Sequence, residues 1–145
     1  VFIDTNVLIY WVDAGPRADT VEQLLAAGCA ISVQVLNEFA NVLLKKRKMP
    51  LADVQELSDT LVDTCTVYDL GVRTHQTALA LMARYHFSLY DANIVAAAGL
   101  SGCAVLYSED MLDGLNVKMP ALAGGATLSL RNPFRATDAI RGTHP

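Results

Sequence analysis

Four acidic residues stand where solubility alone does not explain an acid. Asp4 closes the apolar run Val1-Phe2-Ile3, and Asp110 follows the apolar run Ala104 to Tyr107 through Ser108 and Glu109. In an open parallel sheet, ligands bind beyond the carboxyl ends of the strands, so both acids are expected at one rim. Glu38 lies in a helix-like segment on a face shared with Gln34 and Asn41, while Leu36, Phe39, Ala40 and Leu43 point to the core. Asp91 opens the nearly all-apolar stretch Ala92 to Ala98, and a carboxylate on a buried helix needs a partner. Two unit charges ~4 Å apart repel by about 4 kcal/mol at an effective dielectric of roughly 20, so four carboxylates in one crevice require cations. Hard oxygen donors select Mg²⁺ or Mn²⁺ over zinc. One or two such ions, with water and phosphate, are the equipment for in-line phosphodiester hydrolysis.

Each acid also has a local reading. Asp91 follows Ser88 at the spacing of a capping box, and Asp110 can be a first-turn acid behind Ser108. Glu38 can be a solvated helix residue, and Asp4 with Thr5 and Asn6 can cap the first helix. The functional reading therefore rests on the set being brought together.

Strand-like runs at Val1 to Asp4, Cys29 to Val33, Cys65 to Asp69 and Cys103 to Tyr107 alternate with helical spacing of apolar residues. Helices are expected over Thr5 to Val12, Arg17 to Ala27, Val33 to Arg47, Leu51 to Asp63, Val72 to Tyr85 and Leu89 to Leu100. Two helices between successive strands supply enough chain for crossovers, which predicts an α/β fold on a parallel sheet. Pro50 marks a break between two helices that should form a hairpin. A short fifth strand is expected near Asn116 to Lys118, and Thr127 to Leu130 is expected as an edge strand after the Gly124-Gly125 loop. Residues 132–145 show no apolar periodicity and are expected to be a frayed or partner-dependent tail, leaving 1–131 as one domain.

The chain has 145 residues, 52% of them hydrophobic, which suits a single core. No apolar run approaches the roughly 20 residues of a membrane span, and the strand-like start carries no basic and apolar leader, so a cytoplasmic location without membrane attachment is expected. Cys29, Cys65 and Cys103 are widely spaced in apolar runs and read as buried free thiols. A net charge of −4 is the wrong sign for nucleic-acid binding by bulk charge, so any such binding must be local. Lys45, Lys46, Arg47 and Lys48 could track phosphates, although cations at a helix C-terminus also complement its dipole.

Phe2-Ile3-Asp4-Thr5-Asn6, Asn37-Glu38-Phe39, Leu89-Tyr90-Asp91-Ala92 and Tyr107-Ser108-Glu109-Asp110-Met111 together resemble the four acidic motifs of PIN-domain ribonucleases, in order and over residues 1 to about 131. The small size looks most like the VapC-type toxins of toxin–antitoxin operons. The resemblance implies a PIN-like three-layer α/β fold, with a central parallel sheet of order 3-2-1-4-5 flanked by helices, and a homodimer. It implies Mg²⁺ (or Mn²⁺) held chiefly by Asp4 and Asp91 and completed by Glu38 and Asp110, with Asn6 and Ser108 orienting a carboxylate or a water. It further implies endonucleolytic cleavage of RNA to a 3′-hydroxyl and a 5′-phosphate by a metal-activated water, and neutralisation by a VapB-type antitoxin. Asp113 stands near an additional acid of some relatives, three residues from Asp110, and Glu109 is expected to point away.

Two further readings share the small acidic α/β pattern. One is a PIN-family RNA-processing nuclease that is not a toxin. The other is a receiver-like phosphate-accepting signalling domain, in which Asp69 ends the third strand and Lys118 follows the fifth. A haloacid-dehalogenase-type phosphatase would need an Asp where Asn6 stands.

Overall fold

Polar caps and backbone breakers set the helix boundaries. Ser32 accepts from the Val35 N–H at 3.4 Å and opens helix α3 (Val33–Lys45), and Ser88 accepts from the Asp91 N–H at 3.2 Å and opens α6 (Leu89–Leu100). Pro16 occupies the first turn of α2 (Pro16–Ala27), and Gly28, with φ of 88°, ends it. The computed structural model describes residues 1–135. Its remaining helices are α1 (Thr5–Leu8), α4 (Leu51–Thr64) and α5 (Val72–Arg84). The segment expected as one helix from Thr5 tightens after Leu8 into a 3-10 turn over Ile9–Val12. The break between α3 and α4 is made before Pro50, by Lys48 in a left-handed conformation at φ 51°, with the Met49 N–H donating to the Leu43 carbonyl at 3.0 Å.

The strands are β1 (Phe2–Ile3), β2 (Ala30–Ser32), β3 (Thr66–Tyr68), β4 (Val105–Tyr107), β5 (Asn116–Lys118) and β6 (Thr127–Arg131), in one sheet of order β3-β2-β1-β4-β6-β5. All pairs are parallel except β5 with β6. The mixed α/β architecture is as expected, but the expected order 3-2-1-4-5 is corrected at its last place. The strand at Thr127–Arg131 lies inside the sheet beside β4, and the one at Asn116–Lys118 is the edge. Chain length gives the reason. Residues 108–115 between β4 and β5 are too few for a parallel crossover, whereas residues 108–126 can return a parallel β6, which then folds β5 back antiparallel. Leu128 and Leu130 of β6 are fully buried, as an interior strand requires.

Because β1, β2 and β3 step in one direction and β4 lies on the other side of β1, right-handed crossovers place α1 to α4 on one face and α5 and α6 on the other. Phe2, Ile3, Ile31 and Leu106 form the buried middle layer. Val35, Phe39 and Leu43 cover one face of it at a spacing of four, and the small residues of α6 cover the other.

Cys29 and Cys65 are buried free thiols with sulfurs 3.4 Å apart, whereas Cys103 is only half-buried. Of the expected tail, residues 132–135 are held. Phe134 is fully buried, the Asn132 N–H donates to Asp113 Oδ1 at 2.8 Å, and Arg135 Nε pairs with Asp113 Oδ2 at 2.8 Å. Residues 136–145 lie outside the described residues. No described helix is long and apolar enough to cross a membrane.

Candidate active site

The chain order reverses around β1, which puts a crevice at the carboxyl ends of β1 and β4. Asp4 is the first residue past β1, held by its N–H donating to the Tyr107 carbonyl at 2.9 Å. Ser108 is the first past β4. Ser32 turns the chain from β2 into α3, whose second turn carries Glu38, and the Ser88 cap starts α6 so that Asp91 lies in its first turn. Asp110 follows Ser108 on the outgoing loop.

These four acids line one open cleft of about 340 Å³, so the convergence on which the sequence reading depended is present. Asp4 is 4% exposed. Its Oδ1 accepts from the Thr5 N–H at 2.7 Å and its Oδ2 from the Ser108 hydroxyl at 2.8 Å. Asn6 donates to Ser108 Oγ at 3.3 Å and, through its carbonyl oxygen, accepts the Glu109 N–H at 3.1 Å. Asn6 and Ser108 thus form a hydrogen-bonded relay against one face of Asp4. Glu38 is held on both oxygens, by Gln34 at 2.9 Å and by the Thr5 hydroxyl at 2.7 Å.

The electrostatics match an anionic cleft short of cations. Burial raises the Asp4 pKa to about 6 against the hydrogen bonds from Ser108 and Thr5, and the charges of Asp91 and Glu38 add to it. Asp91 is also raised, first by burial and then by Asp110 and Glu38. Among the described residues, none of the four acids forms an ion pair. No three acidic, histidine or cysteine side chains among the described residues stand close enough to ligate one ion together. The donor set fits a small hard cation held through one or two carboxylates and its own waters, the habit of Mg²⁺.

The other sequence candidates separate cleanly. Glu109 points away, accepting from Tyr10 Oη at 2.8 Å and pairing with Arg17. Asp113 serves residues 132–135 and does not line the cleft. The basic run splits, because Arg47 is paired with Asp13 whereas Lys46 lines the cleft. Asp69 and Lys118 belong to opposite edges of the sheet, β3 and β5, so the pair that a phosphate-accepting domain would need is not assembled. His75 and His86 do not line the cleft, and His144 lies outside the described residues.

Sequence reasoning gave Thr5 no role in the site and offered Lys46 only as one of four neighbouring basic residues that could track phosphates. The position of Thr5 next to Asp4 was the available signal, but its hydroxyl meets Glu38 only once α1 packs beside α3. Gln34 had been placed on the right face by its spacing from Glu38, without a role.

A protein-family model described as the PIN domain matches residues 1–113. No curated protein sequence matches the chain. Solved structures that share the fold include the following three. One is VapC20 of Mycobacterium tuberculosis, a toxin described as cleaving the sarcin-ricin loop, at 24% identity over 75% of this chain and 88% of that one, with a TM-score of 0.61. Another is a toxin–antitoxin complex from Klebsiella pneumoniae, at 22% identity over 76% and 86%, with a TM-score of 0.61. The third is VapBC2 from Rickettsia felis bound to promoter DNA, at 19% identity over 90% and 96%, with a TM-score of 0.64. With its acids assembled at the β1–β4 crevice and a family match over most of its length, the chain belongs to the PIN-domain family.

Proposed function

We propose that this chain is a Mg²⁺- or Mn²⁺-dependent endoribonuclease, the toxin of a VapBC-type toxin–antitoxin pair, acting on RNA in the cytoplasm. The observation that carries the reading is the meeting of Asp4, Glu38, Asp91 and Asp110 in one cleft where Lys46 is the single basic residue on the wall and, among the described residues, none of the four acids is ion-paired. The toxin assignment is supported by likeness in fold to VapC20 and to VapBC complexes.

In this proposal Asp4 and Asp91 would hold the ion, with Glu38 and Asp110 facing its waters from the walls of the same cleft. A bound divalent ion supplies charge neutralisation for the phosphate and acidifies water. The chain's own residues do the rest. Ser108 and Asn6 keep the Asp4 carboxylate turned into the cleft, and Thr5 and Gln34 hold Glu38 in a single orientation. A carboxylate among them accepts the proton of the attacking water as its oxygen bonds to phosphorus. The 3′-oxygen leaves and takes up a proton, giving a 3′-hydroxyl and a 5′-phosphate. Lys46, on the cleft wall, is placed to contact a flanking phosphate.

A second copy of the chain is part of the proposal. The exposed apolar residues Val72, Leu79 and Met82 share one side of α5, at 75%, 48% and 37% exposure, and the mass in solution reads the dimer directly.

The test is RNA cleavage by purified protein with Mn²⁺ or Mg²⁺ and with chelator, followed by analysis of product ends. Asp4→Asn and Asp91→Asn should each lower turnover at least about 100-fold while the protein stays folded. Undiminished cleavage by both variants refutes the site. Growth arrest on induction, relieved by the product of an adjacent antitoxin gene, separates a toxin from an RNA-processing nuclease with the same site.

A further inference from the structure

Beside the acid cleft a second cavity of about 290 Å³ opens and shares Asp91 and Asp110 with it. One wall is the α5–α6 connection, with half-buried Phe87; the other is the β4–β5 loop, with buried Met111 and half-buried Leu115. Leu112 is also a lining residue and leaves 73% of its surface in solvent, an apolar exposure that folding does not use. Tyr85 is fixed, because its hydroxyl accepts the Lys118 N–H at 3.0 Å and the Arg84 guanidinium lies 5.6 Å from its ring centroid. Arg84 and His86 add exposed polar groups to the same cavity.

We propose that this slot receives a nucleobase, the one on a nucleotide next to the phosphate engaged by the acids, and that Phe87, Leu112 and His86 govern which bases are accepted. The proposal rests on the ribonuclease reading. A phosphodiester at Asp91 and Asp110 has its flanking bases within one nucleotide step, so a cavity built on the same two side chains is where such a base falls. Apolar and aromatic walls stack any base face, and a side chain with a donor and an acceptor reads its edge. An apolar side chain of a partner peptide would use the walls but leave Arg84 and His86 idle, whereas a base uses both.

The test begins by mapping the bond that the wild type cuts in an RNA, then replaces each flanking nucleotide in turn by an abasic one. One of the two replacements should lower kcat/KM by about 10-fold or more, the scale of a lost base stack. Leu112→Ala and His86→Ala should lower kcat/KM on the intact RNA, lose little further on that abasic RNA, and bind Mn²⁺ as the wild type does. A readout without turnover is an RNA carrying 2-aminopurine at that nucleotide: its fluorescence should change on binding to Asp4→Asn protein and not when Leu112→Ala is added. A wild type that cleaves yet ignores both abasic replacements overturns the slot and spares the ribonuclease reading. The same indifference, combined with an antitoxin peptide that binds Leu112→Ala poorly, overturns it in favour of the peptide. A wild type that cuts no RNA with Mn²⁺ overturns both.

Discussion

Asp4, the metal-holding carboxylate of the proposal, meets two opposed demands, since such a group must be charged and this one is all but removed from solvent. Its two hydrogen bonds, from Thr5 and Ser108, favour the charged form, yet burial outweighs them and its pKa stands at about 6 instead of 3.8. A carboxyl with a higher pKa folded than unfolded binds more protons in the native state. Its contribution to stability is therefore complete below the unfolded value of about 3.9 and is lost as pH rises through about 6. A shift of about two units corresponds to roughly 3 kcal/mol. Metal-free protein should accordingly unfold at higher denaturant at about pH 5 than at about pH 7.5, and Asp4→Asn should remove most of that difference. The raised pKa of Asp91 acts in the same direction and leaves a residual slope in that variant. Adding Mn²⁺ at the higher pH should recover stability, since an ion that binds only the native carboxylates stabilises by mass action. Equal midpoints at the two pH values for the metal-free wild type would contradict this account of Asp4.

At the scale of elements, helix α5 carries a defect that folding tolerates. Thr77 is fully buried and its hydroxyl has no hydrogen-bond partner among the described residues. A buried orphan hydroxyl costs its desolvation, and valine keeps nearly the same shape without it, so Thr77→Val should gain about 1 kcal/mol. For a chain of this size that is a rise in Tm of roughly 2–4 °C; a fall of similar size would mean the hydroxyl is satisfied. The helices around this position were legible in the sequence because their signals are local. Ser88 announces the start of α6, and Phe39 and Leu43 mark a face of α3 that is buried, although Val35 shares the centre of that face where the spacing suggested Leu36 and Ala40. The places of β5 and β6 were not legible, because three- to five-residue strands carry little pattern and their order depends on how far the intervening chain can reach. The same division holds in the site. The acids announce themselves by standing against apolar runs, but the link from Thr5 to Glu38 and the entry of Lys46 into the cleft arise only when separate elements dock.

Across the whole molecule, the last described residues close back on the first helices. Phe134, two residues beyond the Asn132 that seemed to open a tail, meets Tyr10 edge to face at 5.0 Å between centroids and 76° between planes. The Arg17 guanidinium lies 4.8 Å from the Tyr10 ring and 4.9 Å from the Phe134 ring. Both Tyr10 and Arg17 also hold Glu109, the residue between Ser108 and Asp110, so one anchor serves the chain's closure and the loop that brings an acid to the cleft. Phe134→Ala should cost about 3–5 kcal/mol, the usual cost of emptying a buried phenylalanine site and a large share of the roughly 5–15 kcal/mol that holds a domain together. Phe134→Leu keeps most of the volume but lacks the ring face for Arg17, and should cost less. If the anchor also steadies the Glu109 loop, the leucine variant will lose RNA-cleaving activity at temperatures where it is fully folded. A Phe134→Ala protein with an unchanged denaturation midpoint would show that residues 132–135 rest on the fold without supporting it.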